Sequence, residues 1–351
     1  LFPANPWQFR PYSTSSRHFL NVLYIAIEHV AEFGHCAEAQ ATVRAADFQA
    51  ELARLRATPC VDYPGVAQAK LRILRLLHAH FRRDKSAQTS ARAVRFQAYC
   101  AERGESLRRH ALHDAIDEHM RAVDGHRYWG WPMWPEELRE PTHAGVRAFE
   151  QAHAGLVEFH AWLQWLADEQ LGEAQALGRE LGMPIGLYGD YAVGVNPSGS
   201  ETWSDQALYR KGAGVGAPPD ALALKGQDWG IPPQDPNVLM AEQYRPFRNL
   251  VAANMRHFGA WRLDHVMALF RQWWVRAGLG STEGGYVHYP LDDLMSVLAL
   301  ESERHGCLVV GEDLGTVPTE MREAMAERAV YSYRVVLFEK HDNGRFRQPG
   351  E

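Results

Sequence analysis

Three short apolar segments, each followed by polar residues, constrain the fold of this chain most strongly. They read MPIGLYGDYAVGV at 183–195, FGAWRLDHVMALF at 258–270 and CLVVGEDLGTVP at 307–318. Residues 290–306, between the second and the third, have the spacing of an amphipathic helix. Strand, helix and strand in succession are typical of a parallel sheet covered by helices. The sequence therefore predicts an α/β fold.

A different pattern fills the region before the first of these segments. Residues 66–84 and 158–182 place apolar side chains at steps of three and four, as in Leu71 and Leu74. Gly182 follows the second segment and is a typical helix stop. We therefore expect residues 61–182 to form a mainly helical subdomain.

Composition limits the class of partner. The chain has 351 residues, 46% of them hydrophobic, and a formal net charge of -6, with Lys and Arg scattered along it. Neither nucleic acid nor an acidic membrane surface is implied by this charge pattern, and no apolar run reaches the roughly 18 residues of a membrane span. Four distant cysteines without a C-x-x-C pair favour a reducing cytoplasm. A neutral partner fits best.

Carboxylates follow the three predicted strands at the ends where barrel enzymes carry their chemistry, and these are Asp190, Asp264 and Glu312. Asp264 and Glu312 could supply the nucleophile and the proton donor of a retaining glycosidic reaction. Arg262, two residues before Asp264, shares its strand face and could hold that carboxylate ionised and correctly turned. His265 would donate to a sugar hydroxyl.

Residues 212–237 contain many Gly and Pro residues, and we predict a long ordered loop there. The GAGVGA at its start lacks a preceding strand, so it does not fit a dinucleotide-binding fingerprint. Trp229 lies in a D-W-G sequence and suits a flat platform on which a sugar face can stack.

Several long motifs resemble one family. They are PYSTSSRHFLN at 11–21, IGLYGDYAVGV at 185–195, GQDWGIPP at 226–233, WRLDH at 261–265 and VVGEDLGTVP at 309–318. The chain resembles the 4-α-glucanotransferases, also called amylomaltases or disproportionating enzymes, of the α-amylase superfamily. This resemblance implies a (β/α)8 TIM barrel with a large helical insertion subdomain. It also implies transfer of α-1,4-glucan segments between maltodextrins, and we expect no cofactor and no metal ion.

The resemblance also implies roles for individual residues. Asp264 would be the nucleophile and Glu312 the general acid/base. The residues expected to bind the glucan are Tyr12, Asp190, Asp220, Gln227, Trp229, Arg262, His265 and Asp313.

The same resemblance implies how the chain is divided. Residues 1–60 would be an early barrel segment with loops, 61–182 the helical insertion, and 183–351 the central barrel with a substrate loop at 212–237. Members of the family have a barrel strand upstream of the first motif and a catalytic His-Asp further downstream. We therefore expect a barrel incomplete at both ends and a fragment that is inactive alone. We expect Asp342, Asn343 and Gly344 to form a hairpin turn, so that His341-Asp342 is not the catalytic His-Asp.

Three alternatives stay open from the sequence. The first is an α-glucan hydrolase of the same superfamily, which differs only in the acceptor. The second is a metal-dependent barrel hydrolase, with Asp264, His265, Glu312 and Asp313 as ligands. The third is a glucan-binding protein without catalysis.

Overall fold

The structure is a computed structural model that describes residues 12–83, 90–220, 223–315 and 317–348. These residues form two compact units. The first contains the described residues up to Glu173 together with Ser198–Gln206. The second contains Ala174–Pro197 and the described residues from Ala207 onward.

The first unit is helical. Both predicted helical segments are confirmed, because α3 covers 66–83 and α6 covers 158–180 of them. Helix α6 continues into the second unit. The helices are α1 Ala37–Arg44, α2 Ala46–Arg56, α3 Tyr63–Arg83, α4 Ala91–Asp124, α5 Ala144–Ala152, α6 Ala154–Glu180 and α7 Ser200–Ser204. No described helix has the length and apolar character needed to cross a membrane.

Two apolar clusters hold this unit together. One joins the inward faces of α3 and α6, where Leu74 and Trp162 are fully buried. The other joins α4 and α5 to the loops around Trp134 and Trp203, which are also fully buried. Burial of such large side chains contributes on the order of 2–3 kcal/mol each.

A buried ion pair ties the start of the described chain to α7. Nη2 of Arg17 lies 2.8 Å from Oε1 of Glu201, and the Arg17 backbone N–H donates to Oε2 at 2.6 Å. Both side chains are at least nine-tenths buried. Removing either partner would leave an uncompensated charge, which typically costs about 3–5 kcal/mol.

A buried histidine lies beside this ion pair. Nδ1 of His110 is 2.7 Å from Oγ of Ser200, and its ring stacks on Phe19 at a centroid distance of 4.2 Å. Burial lowers the pKa of His110 to about 4, although the nearby charge of Asp114 opposes that shift. The imidazole is therefore neutral in the folded protein at neutral pH.

The second unit contains two sheets and the helices that pack on them. Its strands are β1 Tyr188–Tyr191, β2 Ala213–Ala217, β3 Gln227–Ile231, β4 Ala260–Leu263, β5 Arg271–Arg276, β6 Gly285–His288, β7 Leu308–Gly311 and β8 Tyr331–Ser332. Its helices are α8 Pro236–Ala241, α9 Arg245–Met255, α10 Leu291–His305 and α11 Thr319–Glu327.

The parallel sheet has the order β1-β4-β7-β8. Its first three strands are the three apolar segments of the sequence, and α10 is the helix predicted between the last two, so the α/β prediction is confirmed. In register, Asp190 lies opposite Arg262, and Arg262 lies opposite Val310. This alignment brings the polar strand ends to one edge. Within the described residues, the sheet is open at β1 and β8.

The second sheet corrects one prediction. Residues 212–237 were expected to form an irregular loop, but they contain β2 and β3, which pair with each other, and β2 pairs with β5. A Cβ at Gly216 would lie 1.9 Å from the carbonyl oxygen of Gln227. The glycines therefore allow the two backbones to pair closely. The number of Gly and Pro residues alone suggested a loop without regular structure.

The turn predicted at 342–344 is confirmed. The His341 N–H donates to the Arg345 carbonyl at 2.9 Å, and Lys340 and Phe346 form an antiparallel bridge. Gly344 has a φ of 79°, which suits a glycine in such a turn.

We expect acid to destabilise the first unit through His110. Its folded-state pKa is about 4 and that of an unfolded histidine is about 6.5. The unfolded chain therefore binds more protons between these values, and the free energy of unfolding falls as the pH drops through them. Between pH 7 and pH 5, the free energy of unfolding measured by urea titration should therefore fall by about 2 kcal/mol less in His110→Gln than in the parent protein. The exposed His126→Gln is the control, and an unchanged loss in His110→Gln would contradict the account.

We expect Gly216→Ala to disrupt the pairing of β2 with β3. The added methyl would overlap the Gln227 carbonyl, and we expect unfolding by urea to show a loss of roughly 1–3 kcal/mol. Gly212→Ala is a matched control, because a Cβ there meets no atom within 4 Å. Equal stability of the two variants would show that the hairpin tolerates the side chain.

Candidate active site

One arginine connects two strand ends at the carboxyl edge of the parallel sheet. Nη1 of Arg262 lies 2.7 Å from Oδ1 of Asp190 at the end of β1. Nη2 lies 2.7 Å from Oδ1 of Asp264, which directly follows β4. The planar guanidinium can serve two carboxylates at once because its donors have fixed directions. The spacing R-x-D in the sequence predicted the second contact, whereas the first depends on the strand register.

The charged groups around Asp264 shift its pKa in opposite directions. Burial raises the pKa of Asp264, the Arg262 guanidinium lowers it, and the carboxylates of Glu312 and Asp190 raise it. The net pKa is above that of an ordinary aspartate, because burial and the two neighbouring carboxylates outweigh the effect of Arg262. Burial opposes the charge of Arg262, yet its two carboxylate partners raise its pKa.

The backbone holds Glu312 beside this group. Oε2 of Glu312 accepts the His265 N–H at 3.0 Å, and Oε1 accepts the Leu314 N–H at 2.9 Å. The turns after β4 and β7 are also joined directly, because the Glu312 N–H donates to the Leu263 carbonyl at 2.9 Å. The Asp264 and Glu312 carboxylates, 48 positions apart in the chain, are thereby close enough to interact electrostatically.

His265 has a left-handed backbone with φ 51° and ψ 63°. This conformation is uncommon for a residue other than glycine, and such residues often occur at functional sites. It directs the His265 N–H toward Glu312. Burial lowers the pKa of the imidazole to about 4, so the ring is neutral at neutral pH and can both donate and accept a hydrogen bond.

The antiparallel sheet brings Trp229 to the same site. Its ring lies edge-on to that of His265, with a centroid distance of 5.2 Å and an interplanar angle of 86°. Nε1 of Trp229 donates to Oε1 of Gln227 at 3.0 Å. Both residues belong to β3, so a rigid strand carries the proposed stacking platform.

Three predicted residues lie in other settings. Asp220 is exposed, and its carboxylate accepts the Ala223 N–H in the connection between β2 and β3. Tyr12 belongs to the first unit and is 50% exposed. Asp313 is buried, and its Oδ2 accepts from Oγ of Ser332 at 2.5 Å.

The predicted contact of Asp313 with substrate stays a prediction, and the carboxylate has protein partners of its own. Its carboxylate also lies 3.6 Å from Nε of Arg322 on α11. Asp313 therefore supports the ends of β7 and β8. Across the described ranges, no three His, Cys, Asp or Glu side chains are grouped to hold a metal ion.

Two tyrosines near Arg262 were missed in the sequence. Tyr188 shares a strand face with Asp190, and burial raises the pKa of its hydroxyl, with smaller effects from Arg262, Asp190 and Tyr333. The ring of Tyr333 lies 5.2 Å from Cζ of Arg262. The i, i+2 spacing could have indicated Tyr188. No local signal indicates Tyr333, because its position depends on the pairing of β8.

The site combines two interacting carboxylates, a cation on one of them, a neutral imidazole and an indole. These groups suit chemistry on a sugar.

Comparisons with relatives and with solved structures agree with chemistry on a sugar. The family model described as 4-alpha-glucanotransferase matches residues 1–351. The chain is 42% identical to a 4-alpha-glucanotransferase of Haemophilus influenzae, covering 98% of this chain and 50% of that protein. It is 36% identical to one of Mycobacterium tuberculosis, covering 96% and 44%.

Solved structures give the same fold. An amylomaltase from Corynebacterium glutamicum superposes with a TM-score of 0.80 at 31% identity, covering 97% of this chain and 45% of that one. An amylomaltase from Streptococcus agalactiae in complex with acarbose gives 0.79 at 17% identity, covering 97% and 65%. These neighbours are TIM barrels, which confirms the predicted fold class. The chain spans about half the length of the curated relatives it matches. It belongs to the glycoside hydrolase 77 family, the 4-alpha-glucanotransferases.

Proposed function

We propose that this protein is a 4-alpha-glucanotransferase that moves α-1,4-glucan segments from one maltodextrin to another. The observation that carries the proposal is the contact of Arg262 with both Asp190 and Asp264, beside a Glu312 fixed by two backbone N–H groups. Relatives that carry this name support it. The Streptococcus agalactiae neighbour is a complex with acarbose, which is consistent with this proposal.

The reaction would proceed by two displacements. Glu312, protonated, gives its proton to the oxygen that leaves, while a carboxylate oxygen of Asp264 attacks the anomeric carbon and forms a glucosyl ester. Glu312, now ionised, then takes the proton from the 4-hydroxyl of a second glucan. That oxygen attacks the anomeric carbon and releases Asp264. Two inversions give retention of configuration.

Each neighbouring residue has a part in this scheme. Arg262 holds one oxygen of Asp264 and leaves the other for attack. The N–H groups of His265 and Leu314 keep the Glu312 carboxyl in one orientation. Trp229 would stack on a glucose ring, and the neutral His265 would bond a hydroxyl.

The wider glucan cleft is also part of the proposal. We include Asp220 and Gln227 among the residues that bind donor or acceptor glucan, and we separately propose that Tyr12 binds glucan. Transfer rather than hydrolysis requires that the acceptor displace water at the ester. We also place the protein in the cytoplasm, which the four free cysteines support.

We expect Asp264→Asn and Glu312→Gln each to lower transfer by at least about 100-fold, because each removes a group that takes part in bond making or proton transfer. The test incubates the full-length protein with maltotriose and follows glucose and longer maltodextrins by chromatography. Asp293→Asn, an exposed acid in the first turn of α10, is the control. Glucose without longer products would indicate a hydrolase, and undiminished transfer by Asp264→Asn would refute the assignment.

The acid limb of the kcat/KM profile should report Asp264, which must be ionised to attack. Arg262→Gln removes the charge that lowers the pKa of Asp264, so this limb should move to higher pH by roughly one unit or more. Asp190→Asn removes a charge that raises this pKa, so the limb should move to lower pH. Shifts in the same direction in both variants would contradict the assignment.

A further inference from the structure

Tyr333 extends the parallel sheet beyond the last residue of β8. Its N–H donates to the Gly311 carbonyl at 3.0 Å, so its backbone continues the pairing with β7. Its side chain is 37% exposed and reaches across β7 toward β4. There the ring lies 5.2 Å from Cζ of Arg262.

The edge and the face of the Arg262 guanidinium have different partners. The edge donates to Asp190 through Nη1 and to Asp264 through Nη2. The N–H groups of a guanidinium point outward in its plane, which leaves its faces available to an aromatic ring. A ring over one face attracts the cation and also blocks rotation of the guanidinium out of that plane.

We propose that Tyr333 is a positioning residue for glucan transfer. Its ring holds Arg262 in the orientation that bonds Asp190 and Asp264 together, and through Arg262 it fixes the nucleophile. Tyr333 acts through its π face, so its hydroxyl is dispensable. This inference rests on the proposed function, because it assigns Asp264 the nucleophilic role.

The charged and titratable groups around Arg262 come from four strands. Asp190 and Tyr188 are on β1, and Asp264 directly follows β4. Glu312 follows β7 and raises the pKa of Asp264, and Tyr333 follows β8. Tyr333 is not among the groups that directly shift the pKa of Asp264, so replacing it should alter that pKa by allowing Arg262 to move.

The experiment compares Tyr333→Leu with Tyr333→Phe in the full-length protein. Tyr333→Leu removes the π face, and we expect kcat/KM for maltotriose to fall by roughly threefold to tenfold. Its acid limb should move to higher pH by about half a unit, since a displaced Arg262 lowers the pKa of Asp264 less. Tyr333→Phe should restore both values. Tyr331→Leu, on the same strand and 58% exposed, controls for loss of a nearby aromatic.

Several results would overturn the inference. They are an unshifted acid limb in Tyr333→Leu, an equal loss in Tyr333→Phe, and an equal shift in Tyr331→Leu. Thermal unfolding checks that each variant folds, and Tyr333→Met replaces Tyr333→Leu if the latter does not.

A crystal structure of the same variant needs no activity and separates the two proposals. Arg262 turned away from Asp190 or Asp264 in Tyr333→Leu supports the role of Tyr333 even if the parent protein transfers no glucan. Arg262 unmoved on both carboxylates contradicts it even if transfer is observed.

Discussion

The guanidinium of Arg262 is the group on which the candidate site depends. It bonds the carboxylates that end two neighbouring strands, and it is the cation nearest the proposed nucleophile. Arg262 lowers the pKa of Asp264, whereas the carboxylates of Glu312 and Asp190 raise it. Without the cation, three acidic groups would repel one another and Asp264 would tend to protonate. A protonated Asp264 could not attack a sugar.

The fold supplies this geometry through backbone pairing. Parallel register sets Asp190 beside Arg262, and hydrogen bonds between the turns after β4 and β7 bring Glu312 to Asp264. The left-handed backbone of His265 gives Glu312 one of its two N–H donors. The antiparallel sheet adds Trp229, whose ring contacts that of His265. Main-chain N–H groups thus hold Glu312 and the Arg262 side chain holds Asp264, which favours a preorganised site.

Local patterns predicted much of this. The apolar segments gave β1, β4 and β7, and the R-x-D spacing predicted the contact of Arg262 with Asp264. Features that depend on distant pairing were missed. The close approach allowed by Gly216 made a hairpin where a loop was expected. Only the pairing of β8 brings Tyr333 to Arg262.

Trapping the covalent intermediate tests the central claim most directly. A fluorinated glucosyl donor that forms the ester quickly and releases it slowly should label the full-length protein once. Mass spectrometry of its peptides should place the glucosyl group on Asp264, in the W-R-L-D-H segment. A label on Glu312 or on another carboxylate, or rapid turnover of the donor with the Asp264→Asn variant, would contradict the account.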